Sequence, residues 1–166
     1  MKHLYWGEGK GKTTAAMGLA LRALGAGKTV VIVQFLKSAP SGEVAMLEKL
    51  GAKFYRGKSA DKFVSKMEPQ EREDTGEMQT ENLRAALEEH ADLLILDEAC
   101  FAWQTDMVDG ELLRGAIENA PAEQELVLTG RCPASWMREA VDYETEMRCH
   151  KHPYQKGVLA RKGVEF

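Results

Sequence analysis

The sequence predicts an α/β architecture, a mostly parallel sheet flanked by helices. Three observations carry that expectation. The runs Thr29 to Phe35 (TVVIVQF), Asp92 to Asp97 (DLLILD) and Glu125 to Thr129 (ELVLT) are nearly continuous in apolar residues, the pattern of strands buried on both faces. Helix-forming segments alternate with them, as crossovers between parallel strands require. A glycine-rich turn joins the first short strand to the first helix.

In chain order, His3 to Trp6 reads as a short strand that stops at Gly7-Glu8-Gly9-Lys10-Gly11. Lys12 to Leu24 is rich in Ala, Leu and Met and reads as a helix, ended by Gly25 and Gly27. After the TVVIVQF strand, Ser41-Gly42-Glu43 opens a helix to Leu50, and Ala52 to Tyr55 is a short strand. Residues from about Arg56 to Asp74 are polar and poorly periodic, which predicts a long surface excursion, and the charged run Glu68 to Glu77 reads as solvated surface. Helices follow over Thr75 to His90 and Asp109 to Asn119, and Pro133 starts another to Ala140. Lys151-His152-Pro153-Tyr154 reads as a turn, and Gly157 to Phe166 as a closing strand or hairpin.

With 166 residues, 44% of them hydrophobic and 29% charged, the chain is expected to form one domain over 1–166. The net charge of −4 argues against nucleic acid or an anionic membrane as partner. No apolar run approaches a membrane span and no signal peptide precedes the first strand, so a cytoplasmic location is expected. Cys100, Cys132 and Cys149 are odd in number and lack CxxC spacing, which reads as idle thiols in a reducing compartment.

Gly7, Gly9 and Gly11 precede Lys12-Thr13-Thr14 between a strand and a helix, the context of a P-loop. Glycines let backbone N–H groups form an anion nest, and the following helix points its positive end at phosphates. Lys12 supplies a full charge, and Thr13 a hydroxyl for Mg²⁺, a cation that takes oxygen ligands. Trp6 stands where the usual G-x-x-x-x-G-K-[ST] pattern has its first glycine, and Gly9 is an extra glycine inside the loop. Lys10 reads equally as a solvated loop lysine or a ligand contact. The fold expectation is therefore a P-loop nucleotide-binding fold of RecA-like type.

Asp97 and Glu98 end the second buried strand, at the edge where open α/β sheets bind ligands. A carboxylate there holds Mg²⁺ directly or through water, and the sequence leaves open which of the two touches the metal. Gly130-Arg131 follows the third buried strand, so Arg131 is either a phosphate ligand or a surface residue. His150 and His152 have no ligand set beside them and read as structural or exposed. Trp103 and Trp136 read as packing residues.

The strings GEGKGKTTAAMGLALRALGAGKTVVIVQFLKSAPSGE, LLILDE, LVLTGR, ETEM and KHPYQKGVLARKGVEF occur in this order. Together they resemble the P-loop ATP:corrinoid (cob(I)alamin) adenosyltransferases from about Tyr5 to Phe166, less closely between Arg56 and Leu83. The resemblance implies transfer of the 5′-deoxyadenosyl group of ATP to Co(I) of a reduced corrinoid, with loss of tripolyphosphate. It implies that Gly9, Gly11, Lys12, Thr13 and Thr14 contact phosphates, with Gly7, Glu8 and Lys10 in the same loop. It further implies that Thr13 and Glu98 serve Mg²⁺, that Arg131 meets phosphate, and that Gln34, Lys37 and Glu43 shape the neighbouring site. Lys12, Thr13 and Glu98 are thus the expected catalytic residues.

The chain departs from the family pattern at Trp6 and Glu8, which replace the usual Thr and Asn. Phe63 matches one of an aromatic pair that some members place against the corrinoid, and Ser65 stands where a Trp is expected. The family's N-terminal extension is expected to be missing, because the chain begins at the first strand. A homodimer and a flavoprotein reductase are the partners that the resemblance implies. A P-loop ATPase or small-molecule kinase, or a non-catalytic nucleotide- or corrinoid-binding protein, are the other readings of these residues. A GTPase is disfavoured by the lack of an N-K-x-D signature.

Overall fold

In the computed structural model, which describes residues 1–57 and 62–164, each strand lies parallel to its neighbours. The strands are β1 (Lys2–Trp6), β2 (Val30–Gln34), β3 (Lys53–Arg56), β4 (Leu93–Asp97), β5 (Glu125–Gly130) and β6 (Tyr143–Glu146). Their order across the six-stranded sheet is β3-β2-β4-β5-β1-β6. One strand, β5, therefore separates β1, which leads into the glycine-rich turn, from β4 with its acidic end. Because the sheet is parallel, β1, β2, β4 and β5 all deliver their C-terminal residues to one rim, the ligand edge of such sheets.

The alternation of side chains along the strands builds the two layers of core. Val30, Ile32, Leu93, Ile95 and Val127 face α1 (Lys12–Gly25) and α2 (Gly42–Lys49), packing with Ala16, Met17, Ala20 and Leu47. Val31, Val33, Leu94, Leu96, Leu126 and Leu128 face the other way. They meet Leu83 and Ala86 of α3 (Pro69–Glu88) and Leu113 and Ile117 of α5 (Gly110–Glu118). Each fully buried Leu or Ile contributes about 1.5–3 kcal/mol over exposure, so the buried runs account for where the sheet sits.

Several boundaries differ from the sequence expectation. Helix α3 begins at Pro69, six residues before Thr75, so most of the charged run Glu68 to Glu77 is helical while its side chains stay largely at the surface, as expected. Pro69 occupies the first turn and the Glu71 carboxylate accepts from the Glu68 N–H at 2.8 Å, a capping arrangement that outweighs the missing apolar period. The excursion before it is partly anchored by a short 3₁₀ turn, Val64–Lys66, with Val64 buried. A helix the sequence reading omitted, α4 (Ala99–Gln104), follows β4 directly. Helix α6 (Ser135–Glu139) begins two residues after Pro133. The strand β6 was also not expected. The closing strand or hairpin over Gly157 to Phe166 is not formed: residues 157–164 are coil and turns, and Glu165 and Phe166 lie outside the described residues.

Trp103 and Trp136 pack edge to face with ring centroids 5.8 Å apart, as packing residues should. The three cysteines are free thiols, Cys100 buried and Cys132 and Cys149 exposed. Burial, aided by the charge of Glu98, pushes the Cys100 thiol up to about 12, so it carries no thiolate at neutral pH. A Cβ at Gly130 would lie 2.3 Å from Cys100 Cβ and 2.6 Å from its Sγ. Gly130→Ala is therefore expected to cost about 1–3 kcal/mol by overpacking, read as a lower melting temperature, and Cys100→Gly should relieve it. A variant that melts like the parent would show that α4 can retreat from β5.

No helix among the described residues is long and apolar enough to cross a membrane.

Candidate functional site

The glycine-rich turn is seated from behind. Gly7 has φ 110° and Gly11 φ 120°, the region that glycine enters without strain. The Gly9 N–H donates to the Met147 carbonyl at 2.6 Å, and the Met147 N–H donates to the Trp6 carbonyl at 2.7 Å. A Cβ at either Gly7 or Gly9 would come within 2.6 Å of the Met147 oxygen, so both glycines permit a backbone-to-backbone approach. The Gly7 N–H is shared between the carbonyls of Gly130 and Arg131, at 3.2 Å each. These two amides thus fix the loop to the ends of β5 and β6. The donors left to face a ligand are those at the start of α1, whose first-turn N–H groups have no intrahelical acceptor.

Lys12 crosses the loop, its ammonium donating to the Gly7 carbonyl at 2.7 Å and the Gly9 carbonyl at 2.8 Å. Burial lowers its pKa below the ordinary lysine value, against a raising effect from Glu98.

The two carboxylates at the end of β4 are not equivalent. Asp97 is fully buried. Its Oδ1 accepts from the Thr13 hydroxyl at 2.8 Å and the Thr129 hydroxyl at 2.7 Å. Its Oδ2 accepts from the Lys37 ammonium at 2.6 Å and the Gln34 amide at 3.2 Å. Glu98 is half-buried, left-handed at φ 63°, with its N–H donated to Thr129 Oγ1 at 2.9 Å, and its side chain lines the cleft. Lys37 also donates to Thr13 Oγ1 at 3.0 Å.

These groups open onto a cleft of about 820 Å³. Gly9, Lys10, Gly11, Lys12, Thr13, Thr14 and Glu98 line it together with Gln34, Lys37, Glu43 and Arg56. Four cations around one cleft make it locally positive although the chain is acidic. Asp97 lies against Thr13, and Gly7 is buried within the turn. Glu8 and Arg131 stay outside the lining; they pair with each other at 3.2 Å on the exposed side of the loop. Phe63 is 79% exposed and is likewise not part of the lining. His150 is exposed, and His152 caps a short 3₁₀ turn by accepting from the Tyr154 N–H at 3.2 Å.

Sequence reasoning missed Thr129 and Met147, and it read Lys10 without its partner. A lone hydroxyl ending a buried strand could have flagged Thr129. Met147 acts through its backbone and gives no such signal. Lys10 donates to the Val164 carbonyl at 3.1 Å, which brings the tail, with Gly163, to the mouth of the cleft.

A second concavity, about 700 Å³, lies between α3 and the turn before α5. Glu73, Glu77, Glu81, Asp106 and Asp109 line it with one Arg72, a charge balance that repels phosphate.

Comparison with known proteins finds relatives along nearly the full chain. The chain is 32% identical over 164 residues to the corrinoid adenosyltransferase of Escherichia coli (strain K12), spanning 98% of this chain and 84% of that protein. It is 34% identical over 163 residues to the corrinoid adenosyltransferase of Pseudomonas aeruginosa, spanning 96% of this chain and 80% of that one. It is 32% identical over 166 residues to the corrinoid adenosyltransferase CobA of Salmonella typhimurium, at 98% and 84% coverage. The model of the family described as ATP:corrinoid adenosyltransferase BtuR/CobO/CobP matches residues 1–166, and the chain belongs to that family.

Proposed function

We propose that residues 1–166 form one nucleotide-binding unit that transfers the 5′-deoxyadenosyl group of ATP to Co(I) of a reduced corrinoid and releases tripolyphosphate. The observation that carries this reading is the convergence of Lys12, Thr13 and Glu98 on one cationic cleft, with Asp97 buried against Thr13, in a chain of this family. In the reaction the electron pair of Co(I) forms the Co–C5′ bond. The C5′–O bond breaks with its electrons going to the triphosphate. The nucleophile brings its own electrons, so no side chain need act as general base.

The protein's part is to hold, align and neutralise. Lys12 is placed to exchange two carbonyl dipoles for the full charge of the departing triphosphate. The start of α1 adds its uncommitted N–H groups. Fixing the chain of phosphates sets C5′ in line for attack. Arg131 reaches phosphate once released from Glu8, and Phe63 offers an exposed aromatic face to the corrinoid.

The donors present suit Mg²⁺. The Thr13 hydroxyl and the Asp97 and Glu98 carboxylates are hard oxygens, and the buried Gln34 Oε1 beside them has no hydrogen-bond partner. Bound there with nucleotide, Mg²⁺ would offset charge on the triphosphate. We further assign a homodimer, a flavoprotein electron donor and a cytoplasmic setting, all on family resemblance.

The test is direct. Protein mixed with ATP, Mg²⁺ and chemically reduced cobalamin should yield a photolabile alkylcobalt spectrum and one tripolyphosphate per cobalt. Orthophosphate without alkylated cobalt would overturn the proposal in favour of an ATPase. Tight binding of both ligands without turnover would indicate a binding protein.

Glu8→Asn should tighten ATP binding about two- to fivefold, because it removes a negative charge from the loop and frees Arg131. Calorimetric titration with Mg-ATP reads this. An unchanged affinity in that variant together with unchanged affinity in Arg131→Ala would remove the pair from the site.

A further inference from the structure

We propose that Lys37 is an internal counter-ion that competes with the divalent cation for its oxygens, so that metal is accepted only together with a triphosphate. The inference rests on the reading that this cleft takes Mg-ATP. Lys37 Nζ stands 2.6 Å from Asp97 Oδ2 and 3.0 Å from Thr13 Oγ1, touching two of the three side chains suited to the metal. The Asp97 side chain is 0% exposed and that of Lys37 is 32% exposed. The carboxylate therefore cannot do without a cation, whereas the ammonium has open space to leave by. Gln34 is 1% exposed and its Oε1 lacks a hydrogen-bond partner, while its amide NH₂ bonds Asp97 at 3.2 Å. A buried orphan acceptor on a side chain bonded to the Asp97 carboxylate marks a position built for more positive charge than the ammonium alone satisfies.

The consequence is a coupling between two ligands. Free metal must expel Lys37 from its anionic partners and leave it with water. A triphosphate in the cleft, which Lys37 also lines, offers the displaced ammonium a new polyanion. The same exchange is uphill for metal alone and downhill for metal with triphosphate, which is a coupling free energy between the sites. Lys37 is a positioning residue here: it acts on the metal through Asp97 and Thr13.

The experiment uses metal alone. Mn²⁺ binding without nucleotide, followed by electron paramagnetic resonance, should be about tenfold tighter in Lys37→Met than in the parent. Mg²⁺ alone should raise the melting temperature of Lys37→Met and leave the parent and Lys37→Arg unmoved, since a ligand that binds only the folded state stabilises it. Should Lys37→Met fold only in Mg²⁺, the cation has replaced the ammonium and the proposal holds. Equal or weaker Mn²⁺ binding by Lys37→Met, or failure to fold even with Mg²⁺, overturns it. Mg²⁺-independent ATP binding by the parent would instead refute the metal reading itself, and an absence of adenosylation leaves the metal-alone comparison intact.

Discussion

Lys12→Ala is expected to lower kcat for adenosyl transfer about 10²- to 10³-fold while the fold is retained. Negative charge grows on the triphosphate as the C5′–O bond breaks, and Lys12 is the cation whose ammonium lies across the loop, against the Gly7 and Gly9 carbonyls. The loop loses the two bonds from Lys12 to the Gly7 and Gly9 carbonyls but keeps its backbone ties, Gly9 to Met147 and Gly7 to Gly130 and Arg131. Circular dichroism should therefore match the parent, and single-turnover formation of alkylcobalt isolates the lost step. The same ammonium should leave a mark on pH dependence. Burial lowers its pKa, so the charge is lost on the alkaline side earlier than for an exposed lysine. kcat/KM for ATP should fall through that limb as pH rises, and Lys12→Ala should lack it. Unaltered turnover in the variant would strip Lys12 of its role.

Asp97→Asn should destabilise the protein by about 2–4 kcal/mol and remove Mg²⁺-dependent nucleotide binding. The substitution keeps the shape and changes one oxygen into a donor. Oδ1 can still accept from Thr13 and Thr129, but the new NH₂ would face the Lys37 ammonium and the Gln34 amide, both donors. Lys37 can swing toward solvent because it is only partly buried, which keeps the cost below that of a fully enclosed charge. Chemical denaturation gives the stability and calorimetry the metal dependence. A loss under about 1 kcal/mol would mean that the carboxylate's charge contributes little to holding this rim together.

What could be read in the linear chain follows the physics of burial. TVVIVQF, LLILD and ELVLT became β2, β4 and β5 because strands enclosed on both faces carry an unbroken apolar signal. Tyr143–Glu146 carries none, being exposed along its length. It is a strand because its backbone pairs with β1, helped by the stacking of His3 on Tyr143 at 4.7 Å and by the Lys2 N–H donated to Asp142. The start of α3 was hidden by a run without apolar residues, although its proline and glutamate cap signals were present. The glycines and Lys12-Thr13 announced the turn between β1 and α1 through local spacing. The Lys37–Asp97 contact joins residues 60 positions apart, and local pattern reports nothing over that distance. The separate fates of Asp97 and Glu98 were also out of reach, because the backbone turns left-handed at Glu98 and its N–H bonds the Thr129 hydroxyl on a different strand.

The place of β1 in the sheet has a consequence for how the protein comes into being. Its neighbours are β5 and β6, whose residues are 125–130 and 143–146, so β1 has no pairing edge until those residues, more than a hundred positions later, have been made. Emerging from a ribosome, β2, β3 and β4 can zip together early, while the amino-terminal strand must wait and then insert between two late arrivals. The nucleotide loop hangs on that insertion. A nascent chain halted before residue 143 would lack the Met147 carbonyl that seats Gly9.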